Sequence, residues 1–160
     1  IVEEINIKST LKSIKDELEK RQTATVSNFP NIFITVASIQ NSEILRKVSY
    51  DMKDESKILS SIIKDGPNKG IHSIIQIDSM DSFGGKIFED RLLPDFSQRV
   101  VTQMNSDNSR KLLGNERAMT LGDNRAYYFW DTKNKLVKFK PFEYPERGFF
   151  KSILNSIPNK

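Results

Sequence analysis

An arginine near the carboxyl terminus has the surroundings of a ligand-binding group. Arg147 lies two residues after Pro145 and two residues before Phe149. Proline is tolerated in the first turn of a helix, so this segment predicts a helix with Arg147 near its start. A guanidinium held beside aromatic rings can bind a carboxylate through two parallel hydrogen bonds. We therefore expect Arg147 to bind a small ligand that carries a carboxylate.

The stretch 122–157 contains the aromatic residues that could line such a site. It holds the one tryptophan of the chain and three of its four tyrosines. We predict a ligand site formed by Arg147, Tyr127, Trp130, Tyr144 and Phe149. The alternative is that Arg147 pairs with a nearby surface carboxylate while the aromatic side chains form an ordinary core.

Few other residues combine into a catalytic or metal site. The chain has no cysteine, which excludes thiol nucleophiles, disulfides and thiolate metal sites. Its one histidine, His72, is interpreted as a structural residue of a strand. A hydrolase centred on Asp78 or Asp123 is an alternative, but neither carboxylate has an acid–base partner at a suitable spacing. We expect a protein that is not an enzyme, with no catalytic residue, metal or cofactor.

Nucleotide-binding motifs of the common classes are absent from the sequence. It has neither a GxGxxG segment nor a glycine-rich loop that ends in the Walker lysine. The segment 122–125, Gly-Asp-Asn-Arg, is typical of a turn, because these residue types accept positive φ and bond to nearby backbone groups.

Composition and charge narrow the class of partner. The 160 residues suit one domain, and a net charge of +4 comes from lysines that alternate with acidic residues. Such a charge pattern does not predict a nucleic-acid groove, so no nucleic acid is expected as a partner. No apolar run reaches the roughly 20 residues of a membrane span. The sequence begins at Ile1 without methionine, which fits either a piece of a longer protein cut just after a membrane span or a processed terminus.

The amino-terminal segment predicts an amphipathic helix with a narrow apolar stripe. Ile7, Leu11, Ile14 and Leu18 follow one another at steps of four and three residues, which places them on one helical face. Charged residues occupy the rest of the surface. Such a stripe is typical of an ordinary surface helix or of a helix that pairs with its copy in a homodimer.

The middle of the chain predicts alternating helices and strands. The run 32–39 is rich in β-branched residues and fits either a strand or a buried helix, which its length leaves open. A helix is expected from residue 54 to a stop at Gly66. The run 71–78 predicts a strand that returns as an antiparallel hairpin at 86–88. A short helix is expected to open at Pro94 and to continue through Val100, Val101 and Met104.

The second half predicts an antiparallel hairpin and a closing helix. Aromatic-rich runs on both sides of residues 132–135 are typical of two strands joined by a turn. Together the elements predict one α+β domain over 1–160. It would have a helical region over 1–64 and a PAS-like core over 65–160, with the helices packed on an antiparallel sheet.

Two stretches resemble the PDC-type (Cache) extracytoplasmic sensor domains. HSIIQIDSMDSFGGKI, from residue 72, is similar to the first strand pair of that family, and YPERGFFKSIL, from residue 144, to its ligand-binding segment. The resemblance implies a long first helix that leaves a membrane and dimerises. It also implies that Arg147 is the arginine that binds the ligand and that Phe149 or Phe150 is the aromatic residue after it.

The resemblance implies a periplasmic or cell-surface sensor domain of a membrane-anchored receptor. Such a receptor would be a histidine kinase, a chemoreceptor or a diguanylate cyclase. Ligand binding at the sheet would shift the first helix and so transmit a signal, as a population shift between two packings. The alternative is a structural or assembly domain of a pilus or secretion apparatus, in which the same helix serves for packing.

Overall fold

The computed structural model describes residues 6–25, 28–45, 54–80, 83, 87–142 and 148–156. They belong to two compact units, the first ending at Phe96 and the second beginning at Ser97. The first unit contains α1 (Ile7–Thr23), β1 (Ile32–Val36), α2 (Asp54–Asp65) and β2 (Ile71–Ile75). The second contains β3 (Gln98–Val101), α3 (Ser106–Leu113), β4 (Ala126–Trp130), β5 (Lys135–Phe139) and α4 (Phe149–Ser156).

The predicted amino-terminal helix is confirmed as α1. Leu11 and Leu18 of its apolar stripe are buried, and the helix packs on α2 within the same unit. Its last turn carries Lys20 and Arg21, whose positive charges complement the negative end of the helix dipole. The homodimer through this helix stays a prediction. Because the two leucines are already buried, such a contact would use other side chains.

The run 32–39, which fits either a strand or a buried helix by its sequence, forms strand β1 over Ile32–Val36. β1 pairs with β2 in parallel, in a register that runs from Ile32 opposite Ile71 to Val36 opposite Ile75. Backbone hydrogen bonds extend the pairing, with Ile32 N–H donating to the Gly70 carbonyl at 2.8 Å. The region 1–64 is therefore not wholly helical, since it contains β1.

The antiparallel hairpin predicted for 71–88 is wrong. β2 takes β1 as its neighbour in a parallel two-stranded sheet, and Ile87 and Phe88 lie in a bend with buried side chains. The physical reason is the helix between the two strands. A chain that passes through α2 before its next strand returns in the same direction, which is the connection that parallel strands require.

Glycine ends α2 where the sequence predicted a stop. Leu59, Ile62 and Ile63 form the buried face of this helix. A Cβ on Gly66 would lie 2.4 Å from the Ile62 carbonyl oxygen and 2.6 Å from that of Ile71. Only a residue without a side chain allows the helix end to approach β2 so closely.

The second unit contains a three-stranded antiparallel sheet in the order β3-β4-β5. The predicted hairpin is confirmed, with Trp130 opposite Lys135 and Tyr128 opposite Val137. Asn134 ends its turn at φ 46°, a left-handed conformation that asparagine accepts more readily than most residues.

The short helix predicted from Pro94 into residues 100–104 is wrong. Residues 90–95 form a 3₁₀ segment instead, and Gln98–Val101 is strand β3. Val100 and Val101 pair with Tyr128 and Tyr127 of β4, so tertiary pairing favours the extended backbone that β-branched residues readily adopt.

Each unit has its own buried side chains. The second unit has a cluster of Val101, Leu113, Ala118 and Phe129. In the first, the ring centroids of Phe88 and Phe83 lie 5.3 Å apart.

The predicted mixed helix-and-strand fold class is confirmed. Within the described ranges, no helix combines the length and the hydropathy that a membrane span requires.

Candidate functional site

A buried arginine at the end of α1 is the centre of the candidate site in the first unit. Arg21 is 2% exposed. Its Nε donates to Glu17 Oε1 at 2.8 Å, and its Nη1 donates to the Lys69 carbonyl oxygen at 3.0 Å. Its guanidinium carbon lies 5.0 Å from the centre of the Phe29 ring, within the range of a cation–π contact. The side chain thus joins the helix end to the turn before β2.

The arginine also sets the charge of its neighbour. The hydrogen bond from Arg21 lowers the pKa of Glu17 below its ordinary value, and the positive charges of Lys20 and Arg21 act in the same direction. Glu17 is therefore held as a carboxylate that bonds Arg21 from within α1, since the two residues are four apart on one helical face.

The turn beneath the guanidinium requires a glycine. Gly70 has φ 71°, a left-handed value that residues with a Cβ rarely adopt. A Cβ at this position would lie 2.9 Å from Asn31 Oδ1 and 3.5 Å from Arg21 Nη1. The backbone here therefore passes directly under two polar side chains.

These residues enclose a cavity of about 330 Å³. That volume is at the small end of the range for ligand pockets, roughly 300–1,000 Å³. Among the described residues, its lining includes two cationic side chains and no acidic one; these lining residues are Arg21, Ala24, Thr25, Phe29, Asn31, Pro67, Asn68, Lys69, Gly70 and His72. The two bonds described use two of the five N–H donors of the guanidinium. Glu17 offsets the charge of Arg21, and Lys69 adds a second cation to the lining, so a small anion is the ligand that we expect this cavity to favour.

His72 has a structural contact in addition to its place in the cavity wall. Its ring stacks on Phe33 of β1, with 5.2 Å between the ring centroids. The two residues are opposite one another in the parallel register. A cross-strand stack agrees with the interpretation of His72 as a structural residue.

The carboxyl ends of β1 and β2 carry few charged groups among the described residues. In parallel sheets this edge is the usual place for ligands. Ala37 and Ser38 follow β1, and Ser38 is left-handed at φ 52°. Gln76 and the exposed Asp78 follow β2. Within the described ranges, no three His, Asp or Glu side chains are grouped as a metal would need.

The described residues of the predicted ligand site lie in different environments. Tyr127 packs against the buried cluster of the second unit. Trp130 lies three residues further along β4, so its side chain points to the opposite face of the sheet. Phe149 is 52% exposed at the start of α4. Arg147 and Tyr144 lie outside the described residues. Tyr127 and Trp130 do not share one wall, and the predicted ligand site stays a prediction.

The outer face of the second sheet carries the remaining aromatic contacts. The Lys133 ammonium lies 3.8 Å from the centre of the Trp130 ring, and the Tyr128 ring meets Trp130 edge-on at 6.5 Å. Tyr128 donates its hydroxyl hydrogen bond to Gln98 Oε1 at 2.7 Å. These contacts fix the side chains on one face of the hairpin.

A second inward-facing arginine holds the other unit together. Arg99 donates from Nη1 to the Leu112 carbonyl oxygen at 2.8 Å and from Nη2 to Asp131 Oδ2 at 3.0 Å. Its guanidinium carbon lies 5.6 Å from the centre of the Phe129 ring. The side chain connects β3 with the end of α3 and with the turn after β4.

Sequence reasoning missed both of these arginines. A signal for Arg21 was present, because the residue lies three positions after Leu18 and so continues the apolar stripe of α1. Glu17, four residues earlier, supplies the matching carboxylate. For Arg99 the signal is its position two residues before Val101, which places both side chains on one face once that segment is known to be a strand.

Comparison with known proteins gives a relationship of fold and no family. No protein-family model matches the chain, and no curated protein matches it. Among solved structures, the pCW3 conjugation coupling protein TcpA, in its monomer form with ATPγS, has a similar fold, with a TM-score of 0.71 and 18% sequence identity. The likeness covers 97% of this chain and 49% of that one, so this chain spans about half the length of the neighbour.

Proposed function

We propose that this chain is a structural portion of a coupling protein in a macromolecular transfer apparatus. The observation that carries the proposal is the likeness to the conjugation coupling protein, which extends over 97% of the chain at a TM-score of 0.71. Among the functions that the sequence left open, a domain of a secretion or transfer apparatus agrees best with such a neighbour.

One of the two stretches that resemble the sensor family does not form the expected strand pair. The resemblance of residues 72–87 to a sensor-type strand pair required an antiparallel return, whereas β2 pairs in parallel with β1. The other stretch contains Arg147, which lies outside the described residues. A PAS-like packing, an extracytoplasmic location and a membrane anchor remain proposals attached to the sensor hypothesis.

We propose a packing role rather than a catalytic one for the residues described. Arg21 and Arg99 are inward-facing cations, one in each unit. Each donates a hydrogen bond to a backbone carbonyl oxygen of a neighbouring element and so fixes that element. Such bonds hold a scaffold in one geometry. The nucleotide named with the neighbour is a property of that protein, and nucleotide binding by this chain is not part of the proposal.

Deletion in the natural host tests the proposed role. The codons for this chain would be removed in frame, and conjugative transfer and protein export would both be measured. We expect at least one of the two to be lost and to return when the wild-type sequence is restored. A complementing copy with Leu59→Asp, which places a charge at a fully buried position, serves as the matched negative control.

Unchanged transfer and unchanged export would contradict the proposal. If the deletion instead abolished a ligand-dependent signalling response, the sensor hypothesis would replace it. The same strain carrying Arg147→Ala would then show whether the predicted carboxylate-binding residue takes part in that response.

A further inference from the structure

The parallel sheet of the first unit has one uncovered face. Phe33 is 66% exposed and Ile74 is 57% exposed. Thr35 lies opposite Ile74, and Phe33 lies opposite His72, so these four residues share a face. None of them carries a carboxylate, an ammonium or a guanidinium group.

The opposite face of the same sheet is covered. Ile71 is fully buried there, and α2, whose Leu59 and Ile62 are also fully buried, packs on β2. Residues 32 and 34 share the face of Ile71, because alternate side chains of a strand point to the same side. Helical cover is therefore present on one side of the strands only, within the described part of the chain.

This asymmetry is unusual for parallel strands. The crossover helices of parallel sheets normally cover both faces, and such sheets usually contain four to six strands. Here each strand has one neighbour, so the described residues leave an outer edge on both β1 and β2. A large exposed apolar group on a strand of this kind is typical of a surface that another segment covers.

We propose that the face formed by Phe33, Thr35, His72 and Ile74 docks an amphipathic helix from a further segment of the same natural polypeptide. The length of the fold neighbour supports this occupant. This chain matches 49% of the neighbour, so the neighbour has a further segment of about the same length. The uncharged face suits the apolar stripe of a helix. The inference concerns the fold and does not depend on a role in transport.

Hydrogen exchange tests the proposed docking directly. The 160-residue chain and the full natural polypeptide that contains it would be compared at the peptides spanning β1 and β2. We expect slower amide exchange of both strands in the full polypeptide, because a docked helix raises the free energy of local opening. Peptides of β4 serve as the internal control and should exchange equally in the two proteins.

A pair of substitutions gives an independent measurement. Ile74→Lys should leave the melting temperature of the 160-residue chain almost unchanged, since the side chain is exposed there. In the full polypeptide the same change should lower the melting temperature by about 4 °C or more, because it places a charge under the docked helix. Met119→Lys, at a residue 44% exposed outside the strands, is the matched control.

Three results would overturn the proposal. One is equal exchange of β1 and β2 in the two proteins, with equal effects of Ile74→Lys. Another is a natural polypeptide no longer than these 160 residues. The third is exchange that slows with the concentration of the 160-residue chain alone, which would assign the face to a second copy.

Discussion

Arg21 donates a hydrogen bond to the backbone carbonyl oxygen of Lys69, which lies 48 positions later in the chain. The bond is 3.0 Å long and connects the last turn of α1 with the turn that leads into β2. It makes the amino-terminal helix part of the packed unit rather than a separate stalk. Loss of this bond should therefore weaken the attachment of α1 to the rest of the unit.

Removal of the guanidinium should destabilise the first unit. Arg21→Met keeps the apolar part of the side chain but removes the bonds to Glu17 and to the Lys69 carbonyl. We expect the free energy of unfolding to fall by about 1–3 kcal/mol, because the half-buried Lys69 carbonyl and the Glu17 carboxylate lose their donor. Urea denaturation followed by circular dichroism measures the change. Lys20→Met, at an exposed neighbour, should change it by less than about 0.5 kcal/mol.

Glu17 should make the stability of the chain depend on pH. Its pKa is lower in the folded state than in the unfolded state, where a glutamate has a pKa of about 4.3. The ionised carboxylate therefore stabilises the fold above that value, and this contribution is lost as the pH falls through the lowered folded pKa. Stability of the wild-type chain should consequently decline more steeply with acid than that of Glu17→Gln.

Denaturation at a series of pH values below 6 measures the difference between these two proteins. The curves should approach one another at the acid end, where the Glu17 carboxyl group is protonated in both the folded and the unfolded state. Glu19→Gln is the control, because its side chain is mostly exposed and lies 3.6 Å from Lys15. Parallel curves for wild type and Glu17→Gln would show that Arg21 does not hold Glu17 as described.

A methyl group at Gly70 should destabilise the turn for two separable reasons. The left-handed backbone costs a residue with a Cβ about 1–2 kcal/mol, and the new Cβ also approaches Asn31 Oδ1. Gly114→Ala isolates the first cost, because Gly114 has φ 72° and a Cβ added there would meet no described atom within 4 Å. We expect Gly70→Ala to be the more destabilising change in thermal denaturation. Equal losses would show that the contact with Asn31 contributes nothing.

Arg99 should stabilise the second unit as Arg21 does the first. Arg99→Leu removes the bonds to the Leu112 carbonyl and to Asp131, and we expect the free energy of unfolding to fall by about 1–3 kcal/mol. Faster cleavage by a protease within residues 97–142 would report it. Arg110→Leu is the control, since Arg110 bonds only to exposed carboxylates in the contacts described and should have little effect.

Small anions should stabilise the chain through the cavity beside Arg21. At about ten times its dissociation constant, a bound anion raises the free energy of unfolding by roughly 1.4 kcal/mol. A thermal-shift series with inorganic phosphate and with acetate measures the effect. We expect Lys69→Met to weaken it and Arg147→Ala to leave it unchanged. The reverse pattern would favour the site predicted from the sequence at Arg147.

Local sequence patterns were sufficient for the elements whose partners lie nearby. The stripe through Leu11 and Leu18 predicted α1, and the aromatic-rich runs on both sides of residues 132–135 predicted the β4–β5 hairpin. In both cases the information is contained within about twenty residues. Helical periodicity and a tight turn are local properties, so they can be read from a short window.

Patterns failed where the partner is distant in the chain. The run 71–78 predicts a strand, and β2 confirms it over Ile71–Ile75. Its predicted partner strand follows Gly84, whereas its actual partner begins at Ile32. The residue pattern of a strand indicates which of its faces is buried, but it does not indicate which strand is its neighbour. For the same reason Arg21 was overlooked, because its acceptor at Lys69 is adjacent only in the folded chain.

The parallel pairing of β1 with β2 has a consequence for the order of folding. A parallel pair joined by a helix cannot form until a long loop closes, whereas the β4–β5 hairpin closes over the short turn that ends at Asn134. The hairpin can therefore assemble within microseconds, on the order of 1–10 μs. The first unit, although synthesised earlier, depends on the slower closure for its sheet.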